Sequence, residues 1–391
     1  MRTFAFTTLA VGLAIGAANP AQAQETDIDV DSDGFTIESG DVEFTLGGRI
    51  HLDTVSIESD NITFTDETDI RRLRIDGTLD LGKDWRIKLD ADVGGLSPGI
   101  YNAWIAYRGI KDVELRFGNF IAPFNGENMM SSNNMKFIER SLPSELAPNF
   151  LLGASASYEG DNWSITGGYF TDPIEDEELT NRDDGKSFVA RGVFAPIKER
   201  REVLHFAAAV ERRELDTGAT SRVRAGPEFA LTRGSLTDTG ALAGVEAYTN
   251  LNLEVAYMNG PVLLRAQQIT RSNDAPTLLD PEFKGVAVEG AWVLTGERQR
   301  YSVGGGTFGE IRPDRDNAFG AWEIAARYST LDLLDGAVLG GEQSNMTVGV
   351  NWYATRNVRV SVNYVDAKAE PNRLGFADNP SSVMGRLQIA F

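Results

Sequence analysis

From Glu43 to the last residue, short segments alternate apolar and polar side chains, and the polar side is charged in segment after segment. Phe44, Leu46, Gly48, Ile50 and Leu52 alternate with Glu43, Thr45, Arg49, His51 and Asp53. Trp85, Ile87, Leu89, Ala91 and Val93 alternate with Arg86, Lys88, Asp90 and Asp92. The chain closes on Val383, Gly385, Leu387, Ile389 and Phe391 against Met384, Arg386 and Gln388. A period of two predicts strands with two unlike faces, and no helix-length apolar stripe competes with it.

Two all-β architectures alternate in this way, a soluble sandwich and a membrane barrel. Large aromatics separate them. Trp85, Tyr107, Tyr158, Trp163, Trp292, Trp322 and Trp352 fall on the apolar side near segment ends, where a membrane barrel carries its interfacial girdles. A sandwich would bury them mid-strand. Beyond the N-terminus no run of about 18 apolar residues exists, so spanning by helices is excluded and a transmembrane antiparallel β-barrel is predicted.

Arg2, the apolar stretch Phe4 to Ala18 and Ala21-Gln22-Ala23 predict an export signal over 1–23. Residues 24–42 carry Glu25, Asp27, Asp29, Asp31 and Asp33 with little apolar surface and are expected to be a flexible leader. Residues 43–391 then form one barrel domain, placed in the bacterial outer membrane against lipid and lipopolysaccharide. The 391 residues include 40 glycines and no cysteine, so no disulfide staples it. A formal charge of -20 argues against a nucleic-acid partner.

Loop lengths should alternate between short periplasmic turns and longer outer connections. Outer loops are expected at 58–68, 94–99, 120–150, 171–186, 330–344 and 366–382, and tight turns at 81–84, 108–112, 159–162, 195–202, 258–261 and 354–357. With both termini on one side the strand number must be even. Assigning Arg222 to Thr232, broken by Gly226-Pro227, to an outer-loop excursion gives about sixteen strands. Residues 296–319 are left as an unusually long periplasmic connection.

The chain resembles the phosphate-selective porin O and P family over nearly its whole mature length. The resemblance rests on Trp292-Val293-Leu294-Thr295-Gly296-Glu297, Gly320 to Ser329, Gly349-Val350-Asn351-Trp352-Tyr353 and Arg386-Leu387-Gln388-Ile389-Ala390-Phe391. Gly118-Asn119-Phe120-Ile121-Ala122-Pro123-Phe124 and Phe137-Ile138-Glu139-Arg140-Ser141 resemble the family's third-loop signature. It implies a sixteen-stranded barrel, a homotrimer, a third outer loop (120–150) folded into the lumen, and anions, with phosphate the named example, as solutes.

The alternation puts Arg72, Arg74, Arg86, Lys88, Arg108, Arg116, Arg327, Arg359 and Arg386 on the lumen face as expected pore-lining residues. Asp53, Asp76, Asp90, Asp92, Glu114 and Glu323 share that face, so wall cations have carboxylates to pair with. The densest basic group is Arg72, Arg74, Arg86 and Lys88. With Arg140 from the third loop it is expected to form the basic side of a constriction whose loop also carries Glu127, Lys136 and Glu139. A loop holding Lys136 and Arg140 against Glu127, Glu139 and Glu145 predicts only a weak anion preference.

A barrel hydrolase and a non-conducting scaffold barrel are the competing classes. His51 and His205 lie on the lumen face with no nucleophile elbow, P-loop or Cys/His metal set, so no catalytic residue, metal or cofactor is expected. The acidic run Glu175 to Asp184 lacks ordered cation-ligand spacing and reads as a solvated outer loop. The reading is a passive porin for small hydrophilic solutes.

Overall fold

The computed structural model describes residues 26–31, 34–62, 64–174, 185–229, 231, 234–314, 317–373, 375 and 377–391. The expected export signal and the acidic run Glu175 to Asp184 lie outside the described residues.

Sixteen antiparallel strands close into one barrel. The first four are β1 (Val42–Glu58), β2 (Glu67–Leu81), β3 (Trp85–Asp92) and β4 (Gly99–Ile110). Next come β5 (Val113–Ile121), β6 (Phe150–Glu159), β7 (Trp163–Thr171) and β8 (Gly185–Lys198). Then follow β9 (Glu202–Leu215), β10 (Ala247–Asn259), β11 (Val262–Asp274) and β12 (Glu282–Val293). The wall ends with β13 (Ala321–Asp335), β14 (Val338–Tyr353), β15 (Val358–Ala369) and β16 (Ser381–Ala390). Each strand pairs with its neighbour in sequence, and β16 pairs with β1, so no edge is left open inside the bilayer.

Closure is secured twice. Arg386 lies opposite Asp53 across the seam, and its Nε and Nη2 donate to the carboxylate at 2.7 and 2.6 Å. Past the last strand, Phe391 and Gly48 exchange both backbone bonds, at 3.0 and 2.8 Å. The aromatic terminus is thereby fixed to the first strand.

The faces are inverted relative to a soluble protein. Phe188, Leu264, Leu89 and Val288 are more than half exposed on the outside, whereas Asn250, Asn252, Asn351, Asn363 and Ser329 are fully buried on the inside. Aromatic pairs Trp85–Tyr107, Tyr158–Trp163 and Trp322–Trp352 gather at the turn-side ends, as the girdle reading expects.

Three expectations need correction. Residues 26–31 and 34–39 are strands, not a flexible leader. Backbone pairing of 34–39 with Val42 to Leu46 extends the sheet beyond the seam, since β1 outruns its partner β16 there. The connection expected over 330–344 shrinks to the pair between Asp335 and Val338, with Gly336 at φ +55°, because β13 and β14 continue as one hairpin outside the membrane. The long connection after β12 is no slack turn either. It carries a hairpin, Gln299–Ser302 against Thr307–Ile311, whose Val303, Phe308 and Ile311 are buried against the wall, where they escape water.

Candidate functional site

The third loop lies inside the barrel and is fastened to one half of the wall. Arg191 on β8 donates to the Phe124 carbonyl at 2.7 Å and pairs with Glu254 on β10 at 2.8 Å, and Glu254 also accepts from the Gly126 amide at 2.9 Å. Asn351 on β14 donates to the Lys136 carbonyl at 2.8 Å, Asn363 on β15 accepts from the Ile138 amide at 2.7 Å, and Arg359 donates to the Met135 carbonyl at 2.8 Å. Wall asparagines and arginines on β8 to β16 thus satisfy the loop's irregular backbone, which cannot be left bare in a buried position.

Glu127 is the central tie. Its carboxylate accepts from the Ser141 amide at 3.0 Å, from the Ser141 and Ser144 hydroxyls at 2.5 and 3.1 Å, and from Gln267 on β11 at 2.8 Å. Burial pushes its carboxyl upward, but Arg327 and Arg265 outweigh that and hold it below the usual glutamate range. Arg327 on β13 also binds Glu228 at 2.7 Å, from the outer connection between β9 and β10, which enters the lumen beside the third loop. Glu228 has φ +61° and accepts further bonds from Ser329, Thr347 and the Leu142 amide.

The other half of the wall stays open. Between β1 to β6 and the loop lies a cavity of about 470 Å³ whose lining includes Arg49, Arg71, Arg72, Arg74, Lys88, Arg116 and Arg140, with Asp90 its only carboxylate among the described residues. A second cavity of about 1190 Å³ continues toward the turn side, lined by Arg108, Glu114, Glu159 and Lys198. Arg116, Phe120, Ile121 and Met129 belong to both walls and mark the junction.

Among the expected pore-lining residues, Arg72, Arg74, Lys88, Arg108 and Arg116 therefore face open space, and Arg140 joins them from the loop. Arg86 does not. It turns to Asp80 at 2.6 Å, near the β2–β3 turn. Arg327, Arg359 and Arg386 are each 2% exposed and sit behind the loop, because carbonyl and carboxylate acceptors there take up their donors. Glu127 and Lys136 are loop anchors rather than channel groups, Lys136 donating to Gln299 of the turn-side hairpin at 2.9 Å. Glu139 pairs with Arg71 at 2.9 Å. Burial raises its carboxyl, yet Arg71, Arg72 and Arg386 draw it down to about 2.

Two site residues escape the alternation. In β2 the pairing steps from His51–Arg72 to Leu52–Ile70, so Arg71 is the extra residue of a bulge and points inward beside Arg72. In β4 it steps from Asp90–Asn102 to Ala91–Ile100, which brings Tyr101 inward beside Asn102. Strict alternation would have turned Arg71 toward lipid, at a cost of about 2–4 kcal/mol near mid-bilayer. That cost was the available signal. Tyr101 carried none.

Both histidines are held by loop residues, His51 Nε2 by Asn133 at 3.1 Å and His205 Nδ1 by the Tyr301 hydroxyl at 2.8 Å.

The sequence model of the phosphate-selective porin O and P family matches residues 44–391, the whole barrel. The chain belongs to that family. This porin is 29% identical to Porin O of Pseudomonas aeruginosa over 438 residues, covering 99% of this chain and 98% of that one. Its fold is also that of an anion-selective porin from Comamonas acidovorans, with TM-score 0.55, 12% identity and coverage of 90% of this chain and 100% of the other. The outer membrane channel DcaP of Acinetobacter baumannii matches with TM-score 0.56 at 13% identity, over 93% and 99% of the two chains. The protein is an outer-membrane porin, and family membership makes it a channel.

Proposed function

We propose that this porin passes small anions along the open side of its lumen, with Arg72, Arg74, Lys88, Arg116 and Arg140 as the groups that favour them. The observation that carries the reading is Arg72. It is 5% exposed, its Nε and Nη1 have no hydrogen-bond acceptor, and no carboxylate lies within ion-pairing distance among the described residues. A guanidinium in that state is stabilised by a passing anion. Around it Arg74, Lys88 and Arg71 have carboxylates behind them, Asp92, Asp76 and Glu139, which fix their positions without standing in the cavity, Asp90 excepted.

Lysine and arginine heads in a narrow, partly desolvated lumen raise the local anion concentration, as rings of basic groups do in anion pores. Transport is passive, down the solute gradient, with no chemical step. The porin works as a homotrimer, the state the family resemblance implies; a trimer form is described for the structurally similar OmpT of Vibrio cholerae. Reversal potentials in a potassium chloride gradient across a planar bilayer test the proposal. The expected result is a chloride-favouring potential that moves toward zero in Arg72→Ala/Arg74→Ala. A cation-favouring potential, or no change in the double variant, overturns it.

A further inference from the structure

We propose that the solute this site is built for is an amphipathic organic anion, an oxyanion head on an aromatic body, rather than a bare inorganic ion. This rests on the anion reading above and names the class of anion.

The cavity beside Arg72 is divided by strand. Its cations come from β1 to β3 and the loop: Arg49, Arg71, Arg72, Arg74, Lys88 and Arg140. Its apolar surface comes chiefly from β4 to β6 and the start of the loop: Tyr101, Phe150, Ile121 and Met129. A cavity serving a fully hydrated or uniformly charged ion gains nothing from an aromatic wall, since apolar surface offers such an ion no hydrogen bonds. A ligand with a charged end and an apolar end fits both walls at once, and about 470 Å³ lies within the range of roughly 300–1,000 Å³ typical of pockets for small organic molecules.

The aromatic wall is also arranged. Tyr101 enters the lumen only because β4 carries a bulge at that residue. Its ring meets Phe150 edge to face at 5.0 Å, and its hydroxyl donates to the Ser97 carbonyl at 2.7 Å, which fixes the ring plane. One partner of that ring is the Arg74 guanidinium, 3.7 Å from its centroid, so the two walls join at this pair. An anion bonded to Arg72 and Arg140 would place its apolar body along Tyr101, Phe150 and Met129.

The test compares two dianions of like charge, phenylphosphonate and inorganic phosphate, as blockers of chloride current through the full-length porin in a planar bilayer. The expected half-blocking concentration is about tenfold lower for phenylphosphonate, the ratio that roughly 1.4 kcal/mol of added contact supplies. In Tyr101→Ala and Phe150→Ala that ratio falls toward one, whichever way phosphate block itself moves; Tyr101→Leu and Phe150→Leu keep the volume if the alanine forms fail to assemble. Equal or tighter block by phosphate, absence of block by either anion in a chloride-selective pore, or an unchanged ratio in the variants overturns this inference alone. A cation-selective wild-type pore overturns the anion reading on which it stands.

Discussion

Replacing Glu127 by Ala should loosen the third loop without unfolding the barrel. In the wild type this carboxylate, 5% exposed, gathers Ser141, Ser144 and Gln267 by hydrogen bonds and faces Arg327 at 3.4 Å. Removing one member of such a buried charged network costs about 3–5 kcal/mol, because the remaining polar groups lose their partner without regaining water. The wall is spared, since its strands are joined through the backbone ladder and Arg327 retains Glu228. The cost therefore falls on the stretch between Gly126 and Ser141. A loss of that size raises the released population of this stretch by roughly two to four orders of magnitude, since each 1.4 kcal/mol is a factor of ten. The anchors at Asn351, Asn363 and Arg359 still hold the loop's centre. Single-channel recording should show larger open-channel noise and unequal conductance levels, and heat-modifiability on gels should stay that of wild type. The same release is expected in acid. The folded Glu127 carboxyl titrates below its usual value of 4.5, so its contribution is complete above that pH and is lost as pH falls through the lower folded value. Quiet, wild-type conductance in Glu127→Ala would refute the assignment of this residue as the loop's tie.

Arg386→Ala should weaken the β16–β1 seam. It strands Asp53, 4% exposed, so the temperature of the gel mobility shift should fall by an amount matching about 3–5 kcal/mol, whereas Arg86→Ala should leave it nearly unchanged. Glu145, on the lumen side of the third loop, has its carboxyl pushed up to about 7 by burial and then by the nearby Glu139. It gains negative charge as pH rises through that value, so anion preference should decline between pH 6 and 8, and Glu145→Gln should flatten the profile. Shortening the turn-side hairpin by deleting 300–310 removes Tyr301, Val303 and Phe308 from the lumen and should raise single-channel conductance. Unchanged conductance would mean that the hairpin does not limit flow.

The sequence by itself determined the barrel. Alternation, girdle aromatics and the parity of strands that end on Phe391 follow from one requirement, that every backbone group in a bilayer be paired while one face meets lipid. It also placed Arg72, Arg74, Lys88, Arg108 and Arg116 correctly on the lumen face, because alternation is a local property of the chain. It could not tell an open lumen face from a covered one. Arg72 and Arg386 look alike in sequence, yet one borders a cavity and the other is locked to Asp53 at the seam. That difference arises from where a 28-residue loop between Ile121 and Phe150 comes to rest, which depends on contacts as distant as Ile138 with Asn363. The bulges that bring in Arg71 and Tyr101 are likewise decided between strands, by pairing register, and leave only a misplaced charge as their trace in the sequence.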